Sequence, residues 1–178
     1  MPAVRDARPD DARAVAEVHV ASWRVAYAGL LPADVLAGLS VDARADMWTT
    51  LLAEPAHHLL VLAAPEVVGF ASLGPERAEP ARGELYAIYL DPAWWGRGAG
   101  RRLHDAALER LAKAGYDVAV LWVLRTNARA TRFYRAAGWR PDGAEKRERS
   151  HGAVLDEVRY RRATASRCST WNALSCAG

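Results

Sequence analysis

The sequence predicts an α+β fold, a mixed and mostly antiparallel central sheet flanked by helices. The first observation behind this is the order of periodicities along the chain: strand, helix, helix, three strands, helix, strand, helix and two strands. Helices and strands do not alternate regularly, as a doubly wound parallel sheet would require. The second is that strand-like segments follow one another across short turns, at residues 58–73 and 139–161, where only antiparallel pairing is reachable. Length agrees, because 178 residues, 51% of them hydrophobic, form one domain with a single core.

Residues 3–8 read as a short first strand. Pro9-Asp10-Asp11 then opens a helix with an Asp cap and an acidic first turn, running to about Ala28 and closed by Gly29. Val15, Val18, Ala21 or Ser22, and Val25 form its apolar stripe. His19, Trp23 and Tyr27 follow at i, i+4 and i+8 on an adjoining face, either as core packing or as a substrate-facing wall. Leu31-Pro32 opens a second helical region, interrupted near Ser40 by another cap. His58–Ala63 and Val67–Leu73 make a hairpin about Pro65-Glu66, with Gly69 tolerating a bulge or a close backbone approach. Residues 74–83 are a polar loop, and Glu84–Leu90 resumes as strand until Asp91-Pro92. Arg101–Ala114 is helical and Val118–Leu124 is the next strand. Asn127–Ala137 is a helix closed by Gly138, and 139–149 and 153–161 are strands joined through His151-Gly152. Residues 1–162 thus form the domain, and 163–178, rich in Ser, Thr and Ala without periodicity, read as a flexible tail.

Composition excludes several classes of function. Lys and Arg number 24 against 21 Asp and Glu, a formal charge of +3, and the Arg residues are mostly interleaved with acids, as in Glu145-Lys146-Arg147-Glu148-Arg149. That run reads as a solvated strand or turn, so no nucleic-acid footprint is present. No apolar stretch approaches the roughly 18 residues of a membrane span, and the N-terminus lacks a signal-peptide core, so the expected address is cytoplasmic. Cys168 and Cys176 both lie in the tail, which leaves no disulfide framework and no cysteine nucleophile in the domain. The five histidines show no metal-ligand spacing, and no metal is expected.

The strongest chemical signal is Leu90-Asp91-Pro92-Ala93-Trp94-Trp95-Gly96-Arg97-Gly98-Ala99-Gly100-Arg101-Arg102. Three alternating glycines between a strand end and a helix start let successive N–H groups converge on one anion, to which the helix N-terminus adds partial positive charge. A phosphate or diphosphate is the natural guest, with Arg97, Arg101 and Arg102 available for charge-assisted contacts. The dinucleotide fingerprint fails because position 101 is Arg, and the Walker loop fails for want of Lys.

This loop, together with Asn127, Ala130 and Phe133-Tyr134-Arg135-Ala136-Ala137-Gly138-Trp139, resembles the GNAT superfamily of N-acetyltransferases. The loop matches the pattern Gln/Arg-x-x-Gly-x-Gly/Ala except at its first position, which is Trp95. Trp139 stands for the usual Phe. The resemblance spans about residues 3–161 and implies a GNAT-like fold and transfer of an acetyl group from acetyl-coenzyme A to a primary amine. It implies a cofactor site at Ile88, Tyr89, Leu90, Gly96, Arg97, Gly98, Ala99, Gly100, Arg101 and Asn127, with the Ile88 and Leu90 amides pairing with pantetheine. The Leu90 N–H would polarise the thioester carbonyl. Asn127 and Tyr134, seven residues apart, fall within about 20° on one helix face. On the resemblance, Asn127 binds the pantetheine arm and Tyr134 reaches the sulfur as general acid.

An amine arrives protonated, near the lysine value of about 10.4, so a group must take its proton. Glu84 is the candidate base if Glu84, Tyr86, Ile88 and Leu90 share a strand face, with Tyr86 or an ordered water as alternatives. Ser22, Trp23 and Tyr27 match the region that lines the acceptor pocket in the family, which suits a small-molecule or peptide amine. Ser22, Ser72 and Ser150 lack a nucleophile-elbow context, so direct attack in a ternary complex is expected. The resemblance also implies self-association, since family members often dimerise. The competing reading is a non-catalytic coenzyme A-binding or partner-binding domain.

Overall fold

In the computed structural model, which describes residues 2–150 and 153–164, seven strands form one sheet in the order β1-β2-β3-β4-β5-β7-β6. The strands are β1 (Ala3–Asp6), β2 (His58–Ala63), β3 (Val67–Pro75), β4 (Gly83–Leu90), β5 (Val118–Leu124), β6 (Arg140–Ser150) and β7 (Ala153–Ala163). All neighbours pair antiparallel except β4 and β5. The helices are α1 (Ala12–Ala26), α2 (Ala33–Ala37), α3 (Val41–Leu52), α4 (Ala99–Lys113) and α5 (Ala128–Ala136).

Period-two alternation along β2 sends its residues to two cores. Leu60 and Leu62 join Leu103, Ala107 and Leu111 of α4 on one face. Leu59 and Val61 join Val15 and Ala16 of α1, Trp48 of α3 and Phe70 on the other. The expected hairpin about Pro65-Glu66 forms, but its bulge falls between Leu62 and Ala63, and Gly69 serves the close approach instead: an added Cβ there would sit 2.9 Å from Leu90 Cγ.

Boundaries shift for identifiable reasons. Pro9–Asp11 is a 3-10 turn ahead of α1, because Asp11 is occupied with the Arg8 N–H at 2.7 Å and with the Arg5 guanidinium at 2.6 and 2.9 Å. The second helical region divides at Ser40, whose hydroxyl accepts from the Ala43 N–H and caps α3. Helix α4 begins at Ala99, two residues earlier than the apolar pattern indicates, and so takes Gly100 into its first turn. Asn127 lies just outside α5 as its N-cap. Strand β7 continues to Ala163, and Thr164 is buried with its N–H on Asp117 O, so the ordered fold passes residue 162. The expected turn at His151-Gly152 and residues 165–178 of the expected tail lie outside the described residues.

Two imidazoles brace the sheet, a buried one on α4 and a half-buried one in the α3–β2 connection. His104 of α4 is inaccessible; its Nε2 accepts from the Trp139 indole at 2.7 Å while its Nδ1 meets Asp105 at 2.8 Å, which fixes a neutral tautomer with Nδ1–H as donor. His57 stacks on Tyr86 and meets the Ser72 hydroxyl at 2.7 Å. Burial pushes both below the ordinary imidazole value, against an opposing contribution from Asp105 at His104. The unfolded chain therefore binds these protons at a higher pH than the native one, so their stabilisation is complete above about pH 6.5 and is lost as the pH falls below it. Urea unfolding should show stability declining from pH 7.5 to pH 5, and His104→Gln should be less stable at pH 7.5 but decline less steeply. Parallel declines for the two proteins would refute the role of His104.

Candidate active site

Strands β4 and β5 pair only through Gly83 with Ala119 and Glu84 with Val120. Immediately beyond, Ser72 pairs with Ala87 but Leu73 with Leu85, so Tyr86 is an extra residue on β4, a bulge that increases local twist and ends the parallel pairing. The strands diverge into a wedge that opens into a cleft of about 570 Å³. The phase of β4 is fixed by the Asp91 N–H, which donates to Val68 O of β3 at 2.8 Å. Since N–H direction alternates along a strand, the Ile88 and Leu90 amides face away from β3, into the wedge. The Leu90 carbonyl confirms this phase by accepting from the Trp95 indole at 3.0 Å.

The glycine loop closes one end of the cleft. Gly98 is the N-cap of α4 with φ +77°, and the first backbone bond of that helix runs from the Arg102 N–H to Gly98 O at 3.2 Å. The Ala99, Gly100 and Arg101 amides thus precede any intrahelical acceptor, and they form the anion-binding end of the helix. Gly96, Gly98, Gly100 and Arg101 line the cleft, whereas Arg97 is exposed and off its lining. Ala99 is buried in the core, so only its amide is available. Arg102 is turned to Pro2 O at 2.6 Å, away from the loop.

The N-cap of α5 gives Asn127 and its interior gives Tyr134. The Asn127 Oδ1 is committed to the Ala130 N–H at 3.0 Å, which leaves its Nδ2 as a donor to the cleft. The Tyr134 ring packs edge-on to Phe133 and Trp139, and burial, with Tyr89 adding to it, pushes its phenol well above the ordinary value. Ser22 and Trp23 of α1 and Tyr27, its C-cap, also line the cleft. The Tyr27 and Tyr89 hydroxyls are 3.0 Å apart, and the Tyr89 ring stacks on His19. Tyr89 therefore lends the cleft its side chain, while its amide faces β3.

Glu84 is not brought to the cleft. The bulge at Tyr86 breaks the expected alternation, and Glu84 is 1% exposed, held by the Arg77 guanidinium and by the Arg77 backbone N–H at 3.2 Å. The cleft's carboxylates are Glu148 of β6 and Glu157 of β7. Lys146 bridges them at 3.2 and 3.0 Å and sits over the Trp122 ring. The Glu157 side chain is 15% exposed and that of Glu148 54%. The Glu145–Arg149 run, expected to be solvated throughout, thus gives Lys146 and Glu148 to the site. Sequence reasoning missed Glu157, Lys146 and Arg129; alternation along 153–161 groups Leu155, Glu157 and Arg159, but nothing local says which face meets a cleft.

A sequence model of the acetyltransferase (GNAT) family matches residues 17–139. The chain belongs to this family. The uncharacterized N-acetyltransferase YuaI of Bacillus subtilis (strain 168) is 37% identical over 141 residues, which is 76% of this chain and 79% of that protein. A mycothiol acetyltransferase of Beutenbergia cavernae is 41% identical over 71 residues, 40% of this chain but only 24% of that one. Among solved structures, the PaiA N-acetyltransferase of Thermoplasma acidophilum, crystallised with coenzyme A, superposes with a TM-score of 0.75 over 92% of this chain and 99% of that one. At 19% identity this is a likeness of fold. As a GNAT member the protein is an acetyl-coenzyme A-dependent N-acetyltransferase. Its residues fit that cofactor: outward β4 amides suit an amide-bearing arm, and unsatisfied helix amides with adjacent cations suit a diphosphate. Among the described residues, no helix is long and apolar enough to cross a membrane.

The two helix-start glycines differ in what they require. An Ala at 98 meets no atom within 4 Å but must adopt φ +77°, so Gly98→Ala should cost about 1–2 kcal/mol of stability. An Ala at 100 lies in the helical first turn and touches Leu90 Cδ1 at an ordinary 3.5 Å, so Gly100→Ala should be neutral or stabilising by up to about 1 kcal/mol. Denaturant titration of the two variants checks the opposite signs.

Proposed function

We propose that the protein transfers acetyl from acetyl-coenzyme A to a primary amine by direct attack in a ternary complex. The observation that carries this reading is the wedge itself, which lines one cleft with the outward β4 edge, Tyr134 and a pair of carboxylates. Bound acetyl-coenzyme A supplies a thioester carbonyl open to attack. The α4 amides hold its diphosphate, and the Ile88 and Leu90 amides with the Asn127 Nδ2 align its pantetheine arm. Of that row the Leu90 N–H is next to the glycine loop and the Ile88 N–H is nearer the apex of the wedge, so Ile88, in place of Leu90, stabilises charge on the carbonyl oxygen.

Tyr134 donates to the sulfur as it leaves. Because burial raises its pKa, the phenol stays protonated through neutral and mildly alkaline pH. The amine enters past Trp23, Tyr27 and Tyr86, whose aromatic faces favour a cation. Glu157 replaces Glu84 as the group that takes the ammonium proton: it faces the cleft and is shielded from solvent, whereas Glu84 is locked behind Arg77.

The test is a panel of amines with acetyl-coenzyme A, following thiol release. Tyr134→Phe should cut kcat by about 100-fold or more while changing the Kd for coenzyme A by less than about twofold. Equal losses in both would remove Tyr134 as the acid. Glu157→Gln should lower kcat by about 100-fold and alter the pH–rate profile. Glu84→Gln should instead lower thermal stability and keep the shape of that profile. Cofactor binding with no thiol release across the panel would favour the binding-only domain.

A further inference from the structure

Four arginines stand near the glycine loop, and they differ in what already occupies them. Arg101 has its Nε at 2.9 Å from both Asp105 oxygens, Arg102 donates to Pro2 O, and Arg97 is exposed and off the cleft lining. The fourth, Arg129, stands in the first turn of α5 and lines the cleft beside Gly96, Gly98 and Gly100. Its guanidinium carbon lies 3.3 Å from the centroid of the Trp95 ring. Trp95 is itself anchored, because its indole N–H donates to the Leu90 carbonyl at 3.0 Å. No carboxylate of the described residues forms an ion pair with Arg129.

A guanidinium flat on an indole loses one face to water and is limited in direction, yet its in-plane N–H groups stay free to donate. Burial lowers its pKa, the mark of a partly desolvated cation without an anion to offset the loss. Such a cation gains most when an anion with two adjacent acceptor oxygens arrives in its plane. The anion-binding amides of α4 border the same part of the cleft. We propose that Arg129, held flat on Trp95, is the cation that binds the diphosphate of the cofactor.

The inference rests on coenzyme A as cofactor, and calorimetric titration with coenzyme A and with 3′-dephospho-coenzyme A separates the two claims. If the wild-type protein binds neither compound, the cofactor assignment itself fails. If it binds both, Arg129→Gln should weaken each by roughly tenfold and make Kd less sensitive to salt, the signature of a lost charge contact. Arg102→Gln should bind as wild type does. Melting of the variants without cofactor reports on folding. Should Arg129→Gln fail to fold, Arg129→Lys, which keeps the charge but not the flat fork, and Trp95→Leu, which removes the platform, should each weaken both ligands about threefold or more. The proposal is overturned if Arg129→Gln binds coenzyme A within twofold of wild type. It is equally overturned if the loss disappears with 3′-dephospho-coenzyme A, or if Arg129→Lys and Trp95→Leu both bind like wild type.

Discussion

Parallel pairing between β4 and β5 stops after Glu84 and Val120, and the chemistry of the molecule sits where it stops. A sheet interior is an unusual place for an open backbone edge, because each unpaired N–H and C=O needs a partner. Here the cleft supplies one, either water or an extended ligand that takes the place of a strand. The bulge at Tyr86 makes the opening durable by giving β4 one residue more than β3 over the same length, so the strands cannot close by sliding. The two halves of the sheet stay in register below the opening through buried charge. Glu76, in the β3–β4 connection, is 1% exposed and pairs with Arg82 at 2.6 Å and with Arg159 of β7 at 2.8 Å. Arg159 also holds Asp142 of β6 at 2.9 Å. Buried charges paired in this way specify geometry more than they add net stability, and here the geometry is that of β6 and β7 relative to β4.

What was legible in the sequence is what is local. The glycine loop, the helix capped by Asn127 and the hairpin about Pro65-Glu66 are each written in a few adjacent residues, and each appears within one or two positions of expectation. The phase of β4 was not legible. Strict alternation puts Glu84 on the side of Ile88 and Leu90, and one inserted residue separates them without any mark in composition. Glu157 and Lys146 were hidden for a related reason. Their place in the cleft depends on Glu157 standing opposite Leu124 and Lys146 opposite Glu157, and such register is a property of three strands, not one. Asn127 shows a subtler gap: seven-residue spacing to Tyr134 suggests a shared helix face, but the side chain caps the helix and spends its oxygen doing so.

Charge along the cleft is graded, which a net value of +3 conceals. By the glycine loop lie the α4 N-terminus, Arg101 and Arg129; elsewhere the lining holds Glu148 and Glu157, with Lys146 shared between them, and Arg77, whose charge is met by Glu84. A ligand with a polyanionic head and a neutral thioester tail is oriented by that gradient before any contact forms. On the proposed reaction, the carboxylates favour an ammonium acceptor away from the glycine loop. The same gradient disfavours the reversed pose of either molecule, since each would place its charge against like charge.

On the proposed reaction, protons must balance across this cleft. A primary ammonium gives up one proton before its nitrogen attacks and a second as the amide forms, and the departing sulfur takes one, so a single proton leaves for solvent. Glu157 and Tyr134 approach from different elements, β7 and α5, so the two transfers need not compete for one group. Tyr27 lies between them electrostatically: its phenol, raised chiefly by burial and then by Tyr89, also feels both Tyr134 and Glu157. Its hydroxyl meets that of Tyr89 at 3.0 Å, and burial raises Tyr89 as well. Two phenols that resist ionisation add no negative charge to that already carried by Glu157 and Glu148, which share Lys146.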